Sequence, residues 1–305
     1  MKKNESSLTS LIAAFARAYH SKFDTPKIFD DFIAKDLITE KEFANIRENM
    51  IQGIQFFNKD IAKKYQDHPD EILKWVTQVQ LSPTPLSRAA YCENVLLNEI
   101  SLGAKQYVIL GAGLDTFCFR HPKLEQSIEI FEVDYLATQE FKKQRLSYAE
   151  YPIPKHLHFV SMDFTKDFTV QPLVEAGFKP NKKTFYSFLG VSYYLTKEEN
   201  SNLVNQLFTE VPSGSSIVFD YADDNLFKEK GRSNRVQNMV QMASASGEPM
   251  KSCFTYNEIE KMLENAGLLI YEYLSPDTIN NEFFQERSDY LSAFETIHYI
   301  HAVKK

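Results

Sequence analysis

Cysteine is scarce in this sequence, and its few copies lie far apart. The 305 residues include only Cys92, Cys118 and Cys253, and no two of them have the Cys-x-x-Cys spacing. An odd number of scattered cysteines excludes a disulfide framework and does not fit a thiolate metal site. The scarcity therefore predicts a reduced, cytoplasmic protein.

Long apolar runs and an excess of positive charge are also missing. No stretch reaches the roughly 18 apolar residues that a membrane span needs, so we expect no membrane partner. Lysine and arginine number 34 against 41 aspartates and glutamates, which gives a formal net charge of −7 at pH 7. A mildly acidic chain argues against nucleic acid as a partner.

Several motifs of metal and hydrolytic chemistry are absent as well. The close histidine pairs, His156-x-His158 and His298-x-x-His301, have no cysteine or acid at ligand spacing, so we expect no metal. The sequence contains no Gly-x-Ser-x-Gly elbow and no phosphate loop ending in Gly-Lys-Ser/Thr. These absences argue against an α/β-hydrolase and a P-loop nucleotidase.

What is present is a helical first part followed by alternating strands and helices. Three Thr-x-x-Glu capping boxes, at 39–42, 196–199 and 255–258, predict helix starts. The alternation predicts an α/β protein with a mostly parallel sheet, and the last two strands, which lack a clear helix between them, should pair antiparallel. Strands are expected at about residues 106–110, 128–133, 156–160, 184–188, 216–219, 268–274 and 295–303.

This pattern divides the chain into an N-terminal helical cap, residues 1–85, and a second domain, residues 86–305. Segment 221–254 is long for a connection between a strand and a helix. We therefore predict that it forms an inserted lid.

Glycine is scarce too, with 10 copies, so we expect glycines where the backbone geometry demands them. Gly111-Ala-Gly113 directly follows the first predicted strand, and Asp134 ends the second, 23 residues after Gly111. A glycine turn lets the backbone approach a ligand, and an acid at the second strand end accepts hydrogen bonds from ribose hydroxyls. The pair predicts a nucleoside-containing cofactor.

The third glycine of a dinucleotide fingerprint is missing, because Thr116 occupies that position. Nicotinamide binding is therefore disfavoured, and a nicotinamide-dependent oxidoreductase remains an alternative. Asp163-Phe164, at the end of the third strand, would suit an adenine.

These motifs together resemble the S-adenosylmethionine-dependent methyltransferases of the leucine carboxyl methyltransferase and polyketide O-methyltransferase family. Gly-Ala-Gly-Leu-Asp-Thr at 111–116 and Phe-Glu-Val-Asp at 131–134 are the most specific pieces. The resemblance implies a Rossmann-like class I methyltransferase fold with seven strands, the last antiparallel. The other matching pieces, in family order, are residues 13–18, 29–34, 87–88, 163–164, 190–196 and 247–249.

The resemblance also implies a set of cofactor-binding residues. Arg88 would bind the methionyl carboxylate of S-adenosyl-L-methionine, for which a guanidinium fork is well suited. The family places an acid near the cofactor where this chain has Leu189, which contributes at most a backbone or packing contact. Gly111 and Gly113 would line the methionine portion, Asp134 would hold the ribose, and Asp163 with Phe164 would hold the adenine.

The implied reaction is an in-line displacement that methylates an oxygen of a small molecule or a protein terminus. A carboxylate acceptor is ionised at neutral pH and needs no general base, whereas a phenol or alcohol would benefit from one. The sequence nominates no catalytic residue, and a non-catalytic cofactor-binding protein on the same fold remains an alternative because of Leu189. Candidates for the acceptor pocket are Tyr193, Tyr194, Tyr221, Arg232 and Arg235.

Overall fold

The computed structural model describes residues 8–166 and 168–305. Its strands are β1 Gln106–Leu110, β2 Glu129–Asp134, β3 Leu157–Ser161, β4 Thr184–Phe188, β5 Ser216–Ala222, β6 Leu268–Leu274 and β7 Ile297–Lys304. They form a sheet in the order β3-β2-β1-β4-β5-β7-β6. β7 is antiparallel to both of its neighbours, and the remaining pairs are parallel. The predicted fold class and the antiparallel last strand are confirmed.

Helices cover both faces of the sheet and build the cap. They are α1 Leu8–Phe23, α2 Glu40–Gln52, α3 Ile54–Phe57, α4 Lys59–Lys64, α5 Pro69–Val76, α6 Pro83–Ser101, α7 Phe117–Arg120, α8 Leu136–Tyr148, α9 Gln171–Glu175, α10 Lys197–Phe208, α11 Arg235–Ala245, α12 Tyr256–Asn265 and α13 Pro276–Phe283. All three predicted capping boxes form and start α2, α10 and α12.

The central strands are buried from end to end, which explains why they read as continuous apolar runs. Every residue of β1, β4 and β5 is buried, as expected for parallel strands covered by helices on both faces. β6 lies at the sheet edge and exposes several of its side chains. No helix was expected between β6 and β7, but α13 lies there, where Ser275 caps its start and Pro276 occupies its first turn.

The cap packs directly onto the domain that follows it. Its apolar core includes Phe15, Trp75 and Val76, together with Leu114 from the glycine loop and Leu146 from α8. The predicted division at residue 85 falls inside α6, so that Pro83, Thr84 and Pro85, which were placed in the cap, share one helix with Arg88. Residues 1–7 of the predicted cap lie outside the described part of the chain.

The predicted lid segment starts later than expected, because β5 continues through Ala222. Beyond it come a 3-10 turn at Arg232–Asn234 and α11, and then the turn at 247–249. None of the helices in the described residues is long and apolar enough to cross a membrane.

Candidate functional site

A cavity of about 310 Å³ opens where the strand order reverses between β1 and β4. Parallel α/β sheets bind ligands at such reversals, outside the carboxyl ends of their strands. Leu110 and Ser187 line its floor, Ala13 contributes from α1, and the turn at 247–249 closes another side. The charged lining residues are Arg17, Asp31, Arg88, Asp115, Arg120, Asp134, Glu248 and Lys251.

The glycine loop follows β1 in a conformation that other residues rarely adopt. Gly111 has φ +76° and Gly113 has φ +50°. A Cβ on Gly111 would overlap Val191, and one on Gly113 would lie 2.9 Å from Ser10 Cβ in α1. The loop therefore needs glycine for both conformation and close approach. The helix that follows the loop, α7, is a single turn that begins at Phe117.

Asp134 is held at the edge of the cavity by two backbone donors. Gly113 N donates to its Oδ2 and Tyr135 N donates to its Oδ1, and each N···O distance is 2.7 Å. Burial raises the pKa of the Asp134 carboxyl, and these two hydrogen bonds partly offset the rise. Each carboxylate oxygen retains further acceptor capacity, so the arrangement fits the proposed contact to two ribose hydroxyls.

At the end of β3, the structure separates the two residues predicted for the adenine. Phe164 lines the cavity, whereas Asp163 does not. Instead, Asp163 Oδ1 accepts a hydrogen bond from Tyr135 OH at 2.8 Å and another from Thr165 Oγ1 at 2.6 Å. Tyr135 and Thr165 themselves line the cavity, and the sequence analysis missed both, although Tyr135 directly follows Asp134. In this structure Asp163 therefore positions cavity residues.

Arg88 reaches the cavity from α6 and is held by a buried acid. Arg88 Nη1 donates to Asp220 Oδ2 and to Tyr193 OH, each at 3.0 Å. Burial alone would lower the pKa of the Arg88 guanidinium, but the adjacent Asp220 carboxylate raises it above its ordinary value. Asp220, which the sequence analysis missed, also accepts from Gly190 N at 2.6 Å.

A second charged network joins the cap to the glycine loop. Asp31 is buried and accepts from Arg17 Nε at 2.8 Å and from Thr116 Oγ1 at 2.7 Å. Arg17 also donates to the carbonyl of Leu114 at 2.7 Å. Arg120 donates to Thr116 Oγ1 at 2.9 Å. Thr116, the residue that replaces the third glycine of a dinucleotide fingerprint, thus ties this loop to the cap.

Two of the five acceptor-pocket candidates line the cavity, as does Leu189. Tyr193 and Tyr194 contact each other with ring centroids 4.9 Å apart. Burial raises the pKa of each tyrosine above its ordinary value. Both phenols are therefore neutral at physiological pH.

The other three candidates lie elsewhere, which corrects the sequence-based expectation. Tyr221 is buried on the opposite face of the sheet, where its ring stacks on His298 at 5.1 Å between centroids. Arg235 is also buried, and its Nε donates to Glu295 Oε2 at 3.0 Å. Arg232 is exposed, and its backbone N–H donates to the same carboxylate.

Comparison with known proteins agrees with this architecture. The family model of leucine carboxyl methyltransferases matches residues 10–208. A protein of Bacillus subtilis strain 168, YktD, is 71% identical over all 305 residues of this chain and covers 100% of both chains; its name assigns it to the S-adenosyl-L-methionine-dependent methyltransferases. A protein of Mycolicibacterium smegmatis with a name of the same kind is 26% identical over 214 residues, which cover 70% of this chain and 65% of that protein.

Among solved structures, a DUF574-family protein of Streptomyces avermitilis superposes with a TM-score of 0.56 over 99% of both chains at 12% identity. That likeness concerns the fold alone. The family match and the full-length relative are the evidence for the family assignment. The chain therefore belongs to the leucine carboxyl methyltransferase family and is an S-adenosyl-L-methionine-dependent methyltransferase.

Proposed function

We propose that this methyltransferase transfers the methyl group to a carboxylate oxygen, on a small molecule or on the terminus of a peptide. The observation that carries the proposal is the lack of a histidine among the described residues that line the cavity. Histidine is the most frequent general base near neutral pH. An acceptor that is already ionised removes the need for such a base.

Three titratable residues of the cavity, Asp31, Tyr193 and Tyr194, are poor bases in this arrangement. Two arginines and a threonine surround Asp31, and although burial opposes them, they lower the pKa of its carboxyl. A carboxylate with a lowered pKa accepts a proton weakly. Tyr193 and Tyr194 have raised pKa values and so are not phenolates at neutral pH. A phenol or alcohol acceptor would find little help from these three residues in losing its proton.

The residues present fit S-adenosyl-L-methionine. The Asp134 carboxylate faces the cavity and suits a ribose, Arg88 suits the methionyl carboxylate, and Phe164 with Tyr135 offers apolar contact for the adenine. When bound, the cofactor supplies a methyl group activated by its sulfonium. The task left to the chain is to hold and orient the acceptor and to exclude water.

The cap and the turn at 247–249 enclose the cavity. Ser10 lies against Gly113, and the Thr9 hydroxyl donates to the Glu248 carboxylate, so α1 and the turn at 247–249 meet across the cavity. Phe29 and the two tyrosines give part of the lining an aromatic character. We therefore expect a carboxylic acid with an apolar or aromatic body.

The product distinguishes the two acceptor classes directly. The purified protein would be incubated with S-adenosyl-L-methionine labelled in its methyl group and with matched acids and phenols, such as phenylacetate beside 4-ethylphenol and N-acetyl-leucine beside its amide. Methyl esters release volatile labelled methanol in mild alkali, whereas methyl ethers do not. We expect alkali-labile label from acids alone.

The pH dependence gives an independent check. A carboxylate acceptor is fully ionised above about pH 6, so its rate should stay level from about pH 6 to pH 8, whereas the rate with a phenol should rise with pH. Alkali-stable label on phenols, at rates above those with acids, would refute the carboxylate proposal and leave the cofactor assignment intact.

A further inference from the structure

Asp220 is a buried acid that does not itself line the cavity. It lies on β5, its residue is 0% exposed, and it is not part of the cavity lining. Both of its carboxylate oxygens are used: Oδ1 accepts from Gly190 N at 2.6 Å and Oδ2 accepts from Arg88 Nη1 at 3.0 Å. A buried ion pair of this kind adds little net stability, because desolvation of both charges offsets their attraction. The role of the Asp220–Arg88 pair is therefore to hold the arginine in place.

The guanidinium of Arg88 is divided between the protein and the cavity. Its Nη1 carries two hydrogens, and Asp220 and Tyr193 accept one each. Across residues 8–166 and 168–305, none accepts a hydrogen bond from Nε or Nη2 of this arginine, although its side chain is only 16% exposed. The N–H groups that remain are thus available to a ligand in the cavity.

We propose that Asp220 is the positioning residue of the cofactor site: it fixes the Arg88 guanidinium so that its free N–H groups meet the methionyl carboxylate. The same carboxylate holds the N–H of Gly190, which follows β4 at the cavity. Asp220 therefore sets the distance between the arginine and this turn. The inference rests on the contact proposed above between Arg88 and the cofactor carboxylate.

Steric fit supports a fixed guanidinium. A Cβ on Gly190 would lie 2.6 Å from Arg88 Nη1 and 2.7 Å from its Cζ, so glycine leaves the space that the arginine occupies. The carbonyl of Asp220 also accepts from Ser192 Oγ at 2.6 Å, which ties the turn to β5 a second time. The position of Arg88 is thus determined by Gly190, in the turn after β4, and by Asp220 on β5.

The test compares two ligands that differ in the group that Arg88 would bind. S-adenosylhomocysteine carries the amino-acid carboxylate, and 5′-methylthioadenosine lacks the whole amino-acid part. Calorimetry gives the ratio of their dissociation constants for each protein. We expect Asp220→Asn to reduce the preference for S-adenosylhomocysteine by roughly tenfold and to leave affinity for 5′-methylthioadenosine within about twofold of the wild-type value.

The matched control is Asp223→Asn. Asp223 lies three residues further along the chain, outside the cavity, and pairs with His298 at 3.2 Å. This substitution removes one acid from the same part of the protein and should leave the ratio unchanged. The double variant Arg88→Ala/Asp220→Asn removes both members of the buried pair, and there Asp220→Asn should add nothing to the effect of Arg88→Ala.

The outcomes separate the two levels of inference. If Arg88→Ala leaves the ratio unchanged, the proposed placement of the cofactor carboxylate is wrong. If Arg88→Ala lowers the ratio but Asp220→Asn does not, or if Asp220→Asn weakens both ligands equally, the role of Asp220 is refuted. If Asp220→Asn does not fold, the double variant decides, since a ratio below that of Arg88→Ala would show that Asp220 acts by another route.

Discussion

Replacement of Gly190 by alanine tests the geometry of the cofactor site most directly. Gly190 has φ +73°, where an L-residue costs about 1–2 kcal/mol. The added methyl would also collide with Arg88 and push its guanidinium away from Asp220 and the cavity. The loss of one hydrogen bond to a charged group is worth about 1.5–3 kcal/mol. Affinity for S-adenosylhomocysteine should therefore fall between about 10- and 150-fold.

Gly267→Ala provides the control for the backbone term. Gly267 follows α12 far from the cavity, has φ +75°, and has open space where the new Cβ would stand. Both variants should lose a similar free energy of unfolding to the backbone conformation, but only Gly190→Ala should lose affinity. Calorimetry would measure binding and chemical denaturation would measure stability. Equal affinity in the two variants would refute the claim that Arg88 is confined by its neighbours.

Three further perturbations address other parts of the molecule. Asp134→Ala should weaken S-adenosylhomocysteine binding by roughly 1–3 kcal/mol in calorimetry, because the ribose loses its acceptor; unchanged affinity would show that the sugar lies elsewhere. Thr116→Val should lower the free energy of unfolding by about 1–3 kcal/mol, because buried Asp31 loses a donor; the control Thr209→Val, at an exposed position, should cost less, and an equal loss would contradict the assignment. Burial lowers the pKa of His301, although neighbouring carboxylates oppose it, so the native state binds that proton less tightly than the unfolded chain does. The stability from neutral His301 is then present above about pH 6.5 and declines as the pH falls, and denaturation between about pH 7 and pH 5 should show a steeper loss for the wild type than for His301→Gln. Parallel slopes would be inconsistent with a buried neutral imidazole.

Features encoded over a few neighbouring residues were predictable from the sequence. The strands are short apolar runs, and the capping boxes need only four residues, so both were found. The glycine loop and Asp134 could be placed at the edge of the cavity from short motifs, since the loop and the strand end lie at fixed places in this class of sheet; their contacts with the cofactor stay predictions. Leu189, which directly follows β4, also lines the cavity, and its contact with the cofactor stays a prediction.

Side-chain direction on β5 was not predictable, and it decides the site. Successive residues of a strand point to opposite faces of the sheet. Asp220 faces Arg88 and the cavity side, whereas Tyr221 faces Phe254 and His298. Because the expected strand ends at residue 219, the alternation of side chains between the two faces could not be assigned to the next two residues. For this reason the sequence analysis named Tyr221 as a pocket candidate and did not name its neighbour Asp220.

Arg235 shows a second limit of sequence reasoning. An arginine in a predicted lid suggests a ligand contact, but its guanidinium is used internally, by Glu295 and by the carbonyl of Ser292. These partners lie some 60 residues away in the sequence, and only tertiary structure brings them together. A buried charge with an acid partner cannot be distinguished from a binding residue without that information.

The bond between Thr116 and Asp31 bears on how this protein could change its ligand. In a dinucleotide-binding enzyme the equivalent position is glycine, which allows the following helix to pack closely against the strand. Here the Thr116 hydroxyl donates a hydrogen bond to Asp31 of the cap, and Arg17 of the cap donates to the carbonyl of Leu114 in the loop. Replacement of Thr116 by glycine would remove one of the bonds that tie the cap to the loop and would leave the bonds of Arg17 to Asp31 and to the Leu114 carbonyl in place. The residue at the position that distinguishes this loop from a dinucleotide fingerprint thus also joins the cap to the glycine loop.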